Sequence, residues 1–244
     1  MRNSELQRQC YEGDMNPDEI LKLRRFRESG AIRVLKLNRF IEDASGNTVL
    51  NAGCGSGDYI AEAFLKNNQV TGIDISLNDL KQAMKCYHDP VQGDMDNGLP
   101  LKSGAFDMVI TSEVIEHVVD TDLFLYEINR VLKKGGVLVL TTPNVNTPLS
   151  LLMMLFFDMP PYRSARYRSP HVRDFTKKTL KMALENNGFK IEECQGTALF
   201  LPYFGYFMSS LCNFLPRLGT ELILKAIKIE ESSCKKSEFS MLLT

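Results

Sequence analysis

The 244-residue chain has no CxxC pair. Its six cysteines (10, 54, 86, 194, 212 and 234) are scattered, which argues against a zinc ribbon or a disulfide framework and for reduced thiols in a cytosol. Histidines are few: residues 88, 117 and 171, far apart in sequence. Neither sign of charge is in excess. Lys plus Arg number 29 against 30 for Asp plus Glu, a formal net charge of −1, so the total points to neither nucleic acid nor an anionic membrane surface. There is no internal repeat, and the opening "MRNSELQRQC" is polar, without a signal pattern. Long apolar runs are missing too. "LSLLMMLFF" (149–157) is nine residues, far below the roughly 20 that span a bilayer. "ALFLPYFGYFMSSLCNFL" (198–215) is interrupted by Pro202, Gly205, Ser209, Ser210 and Asn213. Both stretches are read as a greasy pocket wall or a membrane-touching surface, giving a cytoplasmic protein with peripheral membrane contact as an option.

What is present suits a soluble globular fold: 44% hydrophobic and 24% charged residues, enough chain for one large domain or two small ones. Asn16-Pro17-Asp18-Glu19 has the cap, first-turn proline and acid of a helix start. One helix is expected to about Glu28 and a second to about Ile41. Lys22, Arg24, Arg25, Arg27, Arg33, Lys36 and Arg39 are read as their solvated face.

From residue 47 strands and helices alternate. "TVLNA", "QVTGID", "VQGD", "AFDMVIT" and "GVLVLTT" read as strands, with "DYIAEAFLKNN", "LNDLKQAMKCY" and "TDLFLYEINRVL" as helices between them. "KKTLKMALENN", "FKIEEC" and "TELILKAIKI" supply a further helix and a sixth and seventh strand. Such alternation predicts right-handed βαβ units and a Rossmann-like, doubly wound α/β fold with a mostly parallel seven-stranded sheet. Residues 1–44 then form a helical cover, 45–230 the main domain and 231–244 a loose tail. Residues 143–175 show no convincing long helix and, with 198–215, read as an apolar lid. Ligands of such sheets bind at the carboxyl ends of the strands, which directs attention to 51–57, 74–76, 94–97, 111–117 and 142–147.

The first of these holds "VLNAGCGSGDYI", with glycines at 53, 55 and 57. The dinucleotide fingerprint is GxGxxG; here the spacing is GxGxG. No Gly-Lys-Ser/Thr follows, which excludes a P-loop. Asp58 is expected to open the next helix, where a carboxylate competes with any pyrophosphate. A ligand without phosphates avoids the conflict. S-adenosylmethionine (SAM) offers a carboxylate for backbone N–H groups and cationic centres for nearby acids. Asp74, seventeen residues after Gly57, can accept from both ribose hydroxyls, as acids do in dinucleotide folds.

At this point the chain resembles the class I SAM-dependent methyltransferases of the broad small-molecule "type 11" kind, over about residues 45–230. "VLNAGCGSG" resembles the SAM-binding loop (Asn51, Gly53, Cys54, Gly55, Gly57) and "GIDIS" the ribose motif. The resemblance implies that Asp74 accepts the hydroxyls and Ile75 lies beside the adenine. "GDMDNGLPL" is similar to the adenine-edge motif, implying that Asp94 meets the exocyclic amine and Met95 the ring. "FDMVITSEVIEHV" resembles the fourth motif, whose backbone from Thr111 through Ser112 to Glu113 faces the methionine moiety and the acceptor. Asn51 stands where the family usually has an acid. SAM is the implied cofactor and S-adenosylhomocysteine (SAH) the product.

Methyl transfer from a sulfonium is an in-line displacement in which the protein aligns the acceptor and excludes water. An oxygen acceptor needs a proton removed, and histidine, with an unperturbed pKa near ~6.5, is the obvious base. His117, just after the fourth strand, and His171, in "SPHVRDFTKKTL", are the catalytic candidates; each also has a purely structural reading. The stretch from "TTPNVNTPLSLLMM" to His171 is similar to the ubiquinone-biosynthesis O-methyltransferases. There an ExxEH pattern, here Glu113, Glu116 and His117, can hold a divalent metal; here a metal is an option but not the expectation. Cys54 reads as a loop filler. Met153, Met154, Phe156 and Phe157 read as core or lid. Tyr162, Arg163, Arg166, Tyr167 and Arg168 read as a surface loop or a grip for an anionic acceptor or lipid headgroup. The expected activity is methyl transfer to a small, partly apolar acceptor, most naturally on oxygen. A sugar or lipid-linked glycan acceptor, an NAD(P)-dependent oxidoreductase and a non-catalytic SAM-binding module are the alternatives. No nucleic-acid partner is expected.

Overall fold

A computed structural model of the chain describes residues 29–158, 171–201 and 205–232. The expected helix near 16–28, the 162–168 stretch, Pro202 and most of the C-terminal tail lie outside the described residues. Helix α1 (Ser29–Ile41) leads into β1 (Thr48–Ala52), α2 (Glu62–Asn67), β2 (Gln69–Asp74), α3 (Leu77–Ala83) and β3 (Val91–Gln92). Then come β4 (Phe106–Ser112), α4 (Thr121–Val131), β5 (Leu132–Pro143), α5 (Pro148–Phe157), α6 (Lys177–Asn186) and β6 (Phe189–Gly196). A hairpin of β7 (Leu199–Leu201) and β8 (Gly205–Phe207), helix α7 (Ser209–Phe214) and β9 (Glu221–Lys228) follow. Seven strands form one sheet in the order β3-β2-β1-β4-β5-β9-β6. β1 is parallel to β2 and β4, and β4 to β5, whereas β9 runs antiparallel to both neighbours.

Strand alternation explains the two cores. Successive side chains point to opposite faces, and a sheet covered on both sides needs apolar residues at every position. Leu50, Ala52, Val109, Leu138 and Leu140 pack on one face with Phe124, Leu125, Ile128 and Leu184 of α4 and α6. Val49, Met108, Ile110 and Val139 pack on the other with Leu37 and Ile41 of α1, Phe64 of α2 and Leu80 of α3. The helices start where cap chemistry allows. Ser76 accepts from Asp79 N, Asp120 from Leu123 N and Thr147 from Ser150 N. Thr176 and Thr179 form a reciprocal capping box.

Several expectations need correction. α2 begins at Glu62 with Ala61 at its cap; Asp58 sits in the preceding turn, accepting from Ser56 Oγ at 3.1 Å, so it does not stand at a helix end. The third strand is only two residues long. Residues 143–175 do contain a helix: Thr147 caps α5 and Pro148 occupies its first turn. Its outward residues Leu155, Phe156 and Phe157 are 75%, 69% and 70% exposed, because Ser150 is its one buried side chain. Among the described residues no helix is long and apolar enough to cross a membrane. The basic face of α1 is not simply solvated. Lys36 is buried and donates to Gly196 O (2.7 Å), Ser209 O (3.1 Å) and Asn213 Oδ1 (2.5 Å). Arg33 also turns inward, as described below.

Candidate functional site

The parallel strands end at one edge of the sheet, and between β1 and β4 the chain order reverses. A crevice opens at such a reversal, because the connections from the two strands depart to opposite faces. The β1 loop is pressed into it. Gly53, Gly55 and Gly57 all have left-handed φ (75°, 52° and 82°), which side chains resist. At Gly53 a Cβ would also lie 2.2 Å from Val114 Cγ2, and at Gly57 2.9 Å from the Tyr87 ring. The GxGxG spacing thus fits a loop squeezed between the fourth-strand turn and a tyrosine. Cys54 beneath it is buried, and desolvation pushes its thiol up to about 12, so it is inert packing rather than a nucleophile.

Asp74 ties the loop to β2. Its Oδ2 accepts Gly55 N at 2.8 Å and its Oδ1 accepts Ser76 N at 2.9 Å, while a carboxylate's remaining lone pairs stay available. Ile75 beside it is 65% exposed, an apolar surface at a strand end. Asp94, after the adjacent β3, accepts from Asp96 N (3.0 Å) and Asn97 Nδ2 (2.7 Å), and Met95 behind it is buried. Asp74, Ile75 and Asp94 therefore flank the ends of two paired strands.

Asn51 lies deeper than the sequence suggests. It is fully buried. Its Oδ1 accepts from Tyr59 Oη at 2.5 Å and its Nδ2 donates to Tyr87 Oη at 2.7 Å. Tyr87 Oη reaches Gly57 O at 3.4 Å. Burial pushes both phenols above their ordinary pKa. Asn51 thus acts on the loop from below through two tyrosines. Neither tyrosine carried a legible signal, because each meets Asn51 only through the fold.

At the end of β4, Ser112 Oγ bonds with Thr141 Oγ1 (2.9 Å). Glu113 turns with φ 58°, its N–H donating to Thr141 O at 3.1 Å. Its carboxylate is spoken for: Oε2 lies 3.1 Å from Arg33 Nη1 and Oε1 accepts from Thr141 Oγ1 at 3.2 Å. Arg33 Nη1 also lies 3.6 Å from the buried Glu221 Oε1 at the start of β9. The first described helix is thus pinned to the site by charge, a role the sequence did not announce.

The turn after Glu113 brings three further groups together. Glu116 and His117 are joined by His171, 54 positions beyond His117, because Val172 N and Arg173 N both donate to Glu116 O (2.8 and 3.2 Å). The two imidazole centroids are 5.0 Å apart and nearly perpendicular. One carboxylate oxygen of Glu116 and one nitrogen of each imidazole lie within 4.8 Å of one another. Glu116 is 1% exposed, and burial raises its pKa above the ordinary value. Its Oε2 accepts from Thr142 Oγ1 at 3.0 Å, while Oε1 has no hydrogen-bond partner among the described residues. Both catalytic candidates therefore meet at one spot, beside the β1–β4 crevice.

Comparison with known proteins places this geometry. Residues 50–140 match the methyltransferase domain family. The chain is 31% identical over 163 residues to a "Probable S-adenosylmethionine-dependent methyltransferase" of Mycolicibacterium smegmatis, covering 65% of this chain and 58% of that protein. It is 31% identical over 173 residues to the human mitochondrial ubiquinone biosynthesis O-methyltransferase, covering 66% of this chain and 46% of that one. The chain thus spans about half the length of the curated relatives it matches. A solved SAM-dependent methyltransferase of Thermotoga maritima, described as a possible histamine N-methyltransferase, superposes with TM-score 0.61 at 18% identity, over 86% of this chain and 96% of that one. The [4+2]-cyclase SpnF superposes with TM-score 0.59 at 22% identity, over 81% of each chain. On the family match the chain carries a methyltransferase domain over residues 50–140, and the proteins it resembles include S-adenosylmethionine-dependent methyltransferases.

Proposed function

We propose that the chain transfers the methyl group of SAM to an oxygen of a small, partly apolar acceptor. In this reading Asp74 takes the ribose hydroxyls, Ile75 and Met95 flank the adenine, and Asp94 meets its amine. Gly53, Cys54, Gly55 and Gly57 offer loop backbone to the methionine portion, with Asn51 supporting from beneath. Ser112 and Glu113 border the sulfonium. An in-line displacement requires the acceptor oxygen to lie opposite the sulfur, with water kept away. The hydroxyl must lose its proton as its oxygen takes the methyl group. We assign that step to His117 and His171, an assignment supported by their meeting over Glu116.

The observation that carries the reading is this convergence of two imidazoles and a buried carboxylate beside the loop that the glycines shape. Oxygen as the acceptor atom is supported by the O-methyltransferase named among the relatives. The apolar outward face of α5 supports a partly apolar acceptor or contact with a membrane surface. SpnF, named for a cyclisation, is a reminder that the fold leaves chemistry to the site.

Thermal stabilisation by SAH, and none by NADH, is the expected first result. Asp74→Asn should weaken SAH by about 10–100-fold, the effect of losing charge-assisted hydrogen bonds. His117→Ala and His171→Ala should lose turnover while keeping SAH affinity. With phenols or quinols of increasing chain length, turnover should rise with apolar length. Preference for free sugars, or uptake of a pyrophosphate nucleotide in place of SAH, would overturn the reading.

A further inference from the structure

Helix α1 reaches the glycine loop at both of its ends. At the entrance the contact is indirect. Arg33 Nη1 lies 3.1 Å from Glu113 Oε2 and 3.6 Å from Glu221 Oε1, so one guanidinium joins the end of β4 to the start of β9. Glu113 has φ 58°, a conformation that a residue with a side chain keeps only where its surroundings impose it. Its N–H and its Oε1 are tied to Thr141, and Arg33 supplies the third tie. The next residue is Val114, whose side chain fills the space that a Cβ on Gly53 would need. The turn that Arg33 secures is therefore the wall against which the loop begins.

At the exit the contact is direct. Asn38 is buried. Its Oδ1 accepts from Ala61 N at 2.7 Å, and its Nδ2 donates to Tyr59 O and, within α1, to Val34 O, both at 2.9 Å. Both N–H bonds of the amide are thereby used. α2 needs this help, because its cap residue Ala61 makes no side-chain cap hydrogen bond. Phe64 occupies the third helical position, where a capping box would place a Glu or Gln to accept from Ala61 N. Asn38 does from α1 what α2 cannot do for itself.

We propose that α1 is a clamp on the cofactor loop, with Arg33 and Asn38 as positioning residues that set the loop's backbone and, through it, the affinity for SAM and SAH. Neither side chain needs to touch the cofactor. Binding and clamping are then linked: a cofactor that favours the ordered loop also tightens α1, by the same free energy. The effect on affinity rests on the methyltransferase reading; the hold on the loop does not.

Loop amides report the clamp without any ligand. Gly53 N and Cys54 N donate to Ile73 O, Gly55 N to Asp74 Oδ2 and Gly57 N to Cys54 O, so a loosened loop exposes them to hydrogen exchange. In the full-length, ligand-free protein, Arg33→Met and Asn38→Ala should each speed exchange at these amides, the first most at Gly53 and the second most at Gly57. Arg33→Lys, which keeps a cation beside Glu113, should restore most of the protection lost in Arg33→Met. By calorimetry, at a temperature where melting curves show every variant folded, Arg33→Met and Asn38→Ala should bind SAH about 2–30-fold more weakly. In the wild type SAH should slow exchange within α1. Asp107→Asn weakens the opposite edge of the sheet and should leave loop exchange and SAH affinity unchanged. Wild-type loop exchange in Arg33→Met and Asn38→Ala overturns the inference, as does a loosened loop that binds SAH with wild-type affinity. An equal effect from Asp107→Asn also overturns it, since general destabilisation would then be the cause. If the variants loosen the loop but the wild type takes up no SAH, the clamp stands and the methyltransferase reading falls. If SAH binds the wild type and both variants alike, the clamp falls and that reading stands.

Discussion

A carboxamide at position 51 has a donor and an acceptor, and the structure uses both. Tyr59 donates to one end and Tyr87 accepts from the other. A carboxylate there has no donor, so Tyr87 would have to turn its own hydroxyl inward and leave Gly57 O. Asn51→Asp should therefore cost about 1–3 kcal/mol of stability, the range for a buried group left without its partner. Urea denaturation reads that loss directly, and SAH affinity should persist in the folded variant. A stable variant that no longer holds SAH would show instead that Asn51 meets the cofactor itself. At this scale the glycines were legible, since three of them in five positions signal backbone under steric pressure. What presses on them was not: Val114 and Tyr87 lie 61 and 30 positions from Gly53 and Gly57. The partners of Glu116 and His117 were hidden for the same reason, because His171 arrives from the far end of an insertion.

Elements read well where burial imposes a period and poorly where it does not. β4 lies in the middle of the sheet, and its near-unbroken apolar run marked it. α5 is apolar on nearly every side, so no amphipathic stripe announced it. α1 misled in the opposite way. Its cations suggested a face in water, yet Lys36 reaches Gly196, Ser209 and Asn213, 160 to 177 positions later. Those acceptors form a socket joining the helix to β6 and α7. Lys36→Met should strand buried carbonyls and cost about 2–4 kcal/mol. Limited proteolysis should then cut within residues 29–41 before the sheet is attacked. Resistance equal to the wild type would mean that apolar contacts alone hold α1.

Across the whole molecule, the chemistry gathers at the carboxyl edge of the sheet while the opposite edge carries a tie among three strands. Asp107 at the start of β4 accepts from Thr48 N and Thr48 Oγ1 in β1 and pairs with Lys133 in β5 at 2.8 Å. The Lys133 hydrogen bond, chiefly, lowers its pKa from 3.8 to about 2. A depressed acid stabilises the fold above its unfolded pKa, and that support disappears as pH falls through the folded value. Wild type should therefore lose stability between about pH 4 and pH 2 faster than Asp107→Asn, with urea midpoints converging at the acid end. A constant gap would exclude the tie as the cause. The seven-stranded α/β fold was legible from alternation alone; that the seventh strand inserts antiparallel was not, since pairing partners leave no local mark. That insertion has a consequence for biosynthesis. β6 leaves the ribosome before β9, yet its place in the sheet exists only once β9 lies between it and β5. Until residue 228 emerges, β5 presents a bare hydrogen-bonding edge and β6 has nowhere to dock, so a nascent chain stalled just short of that residue is the form most exposed to aggregation and to chaperone capture.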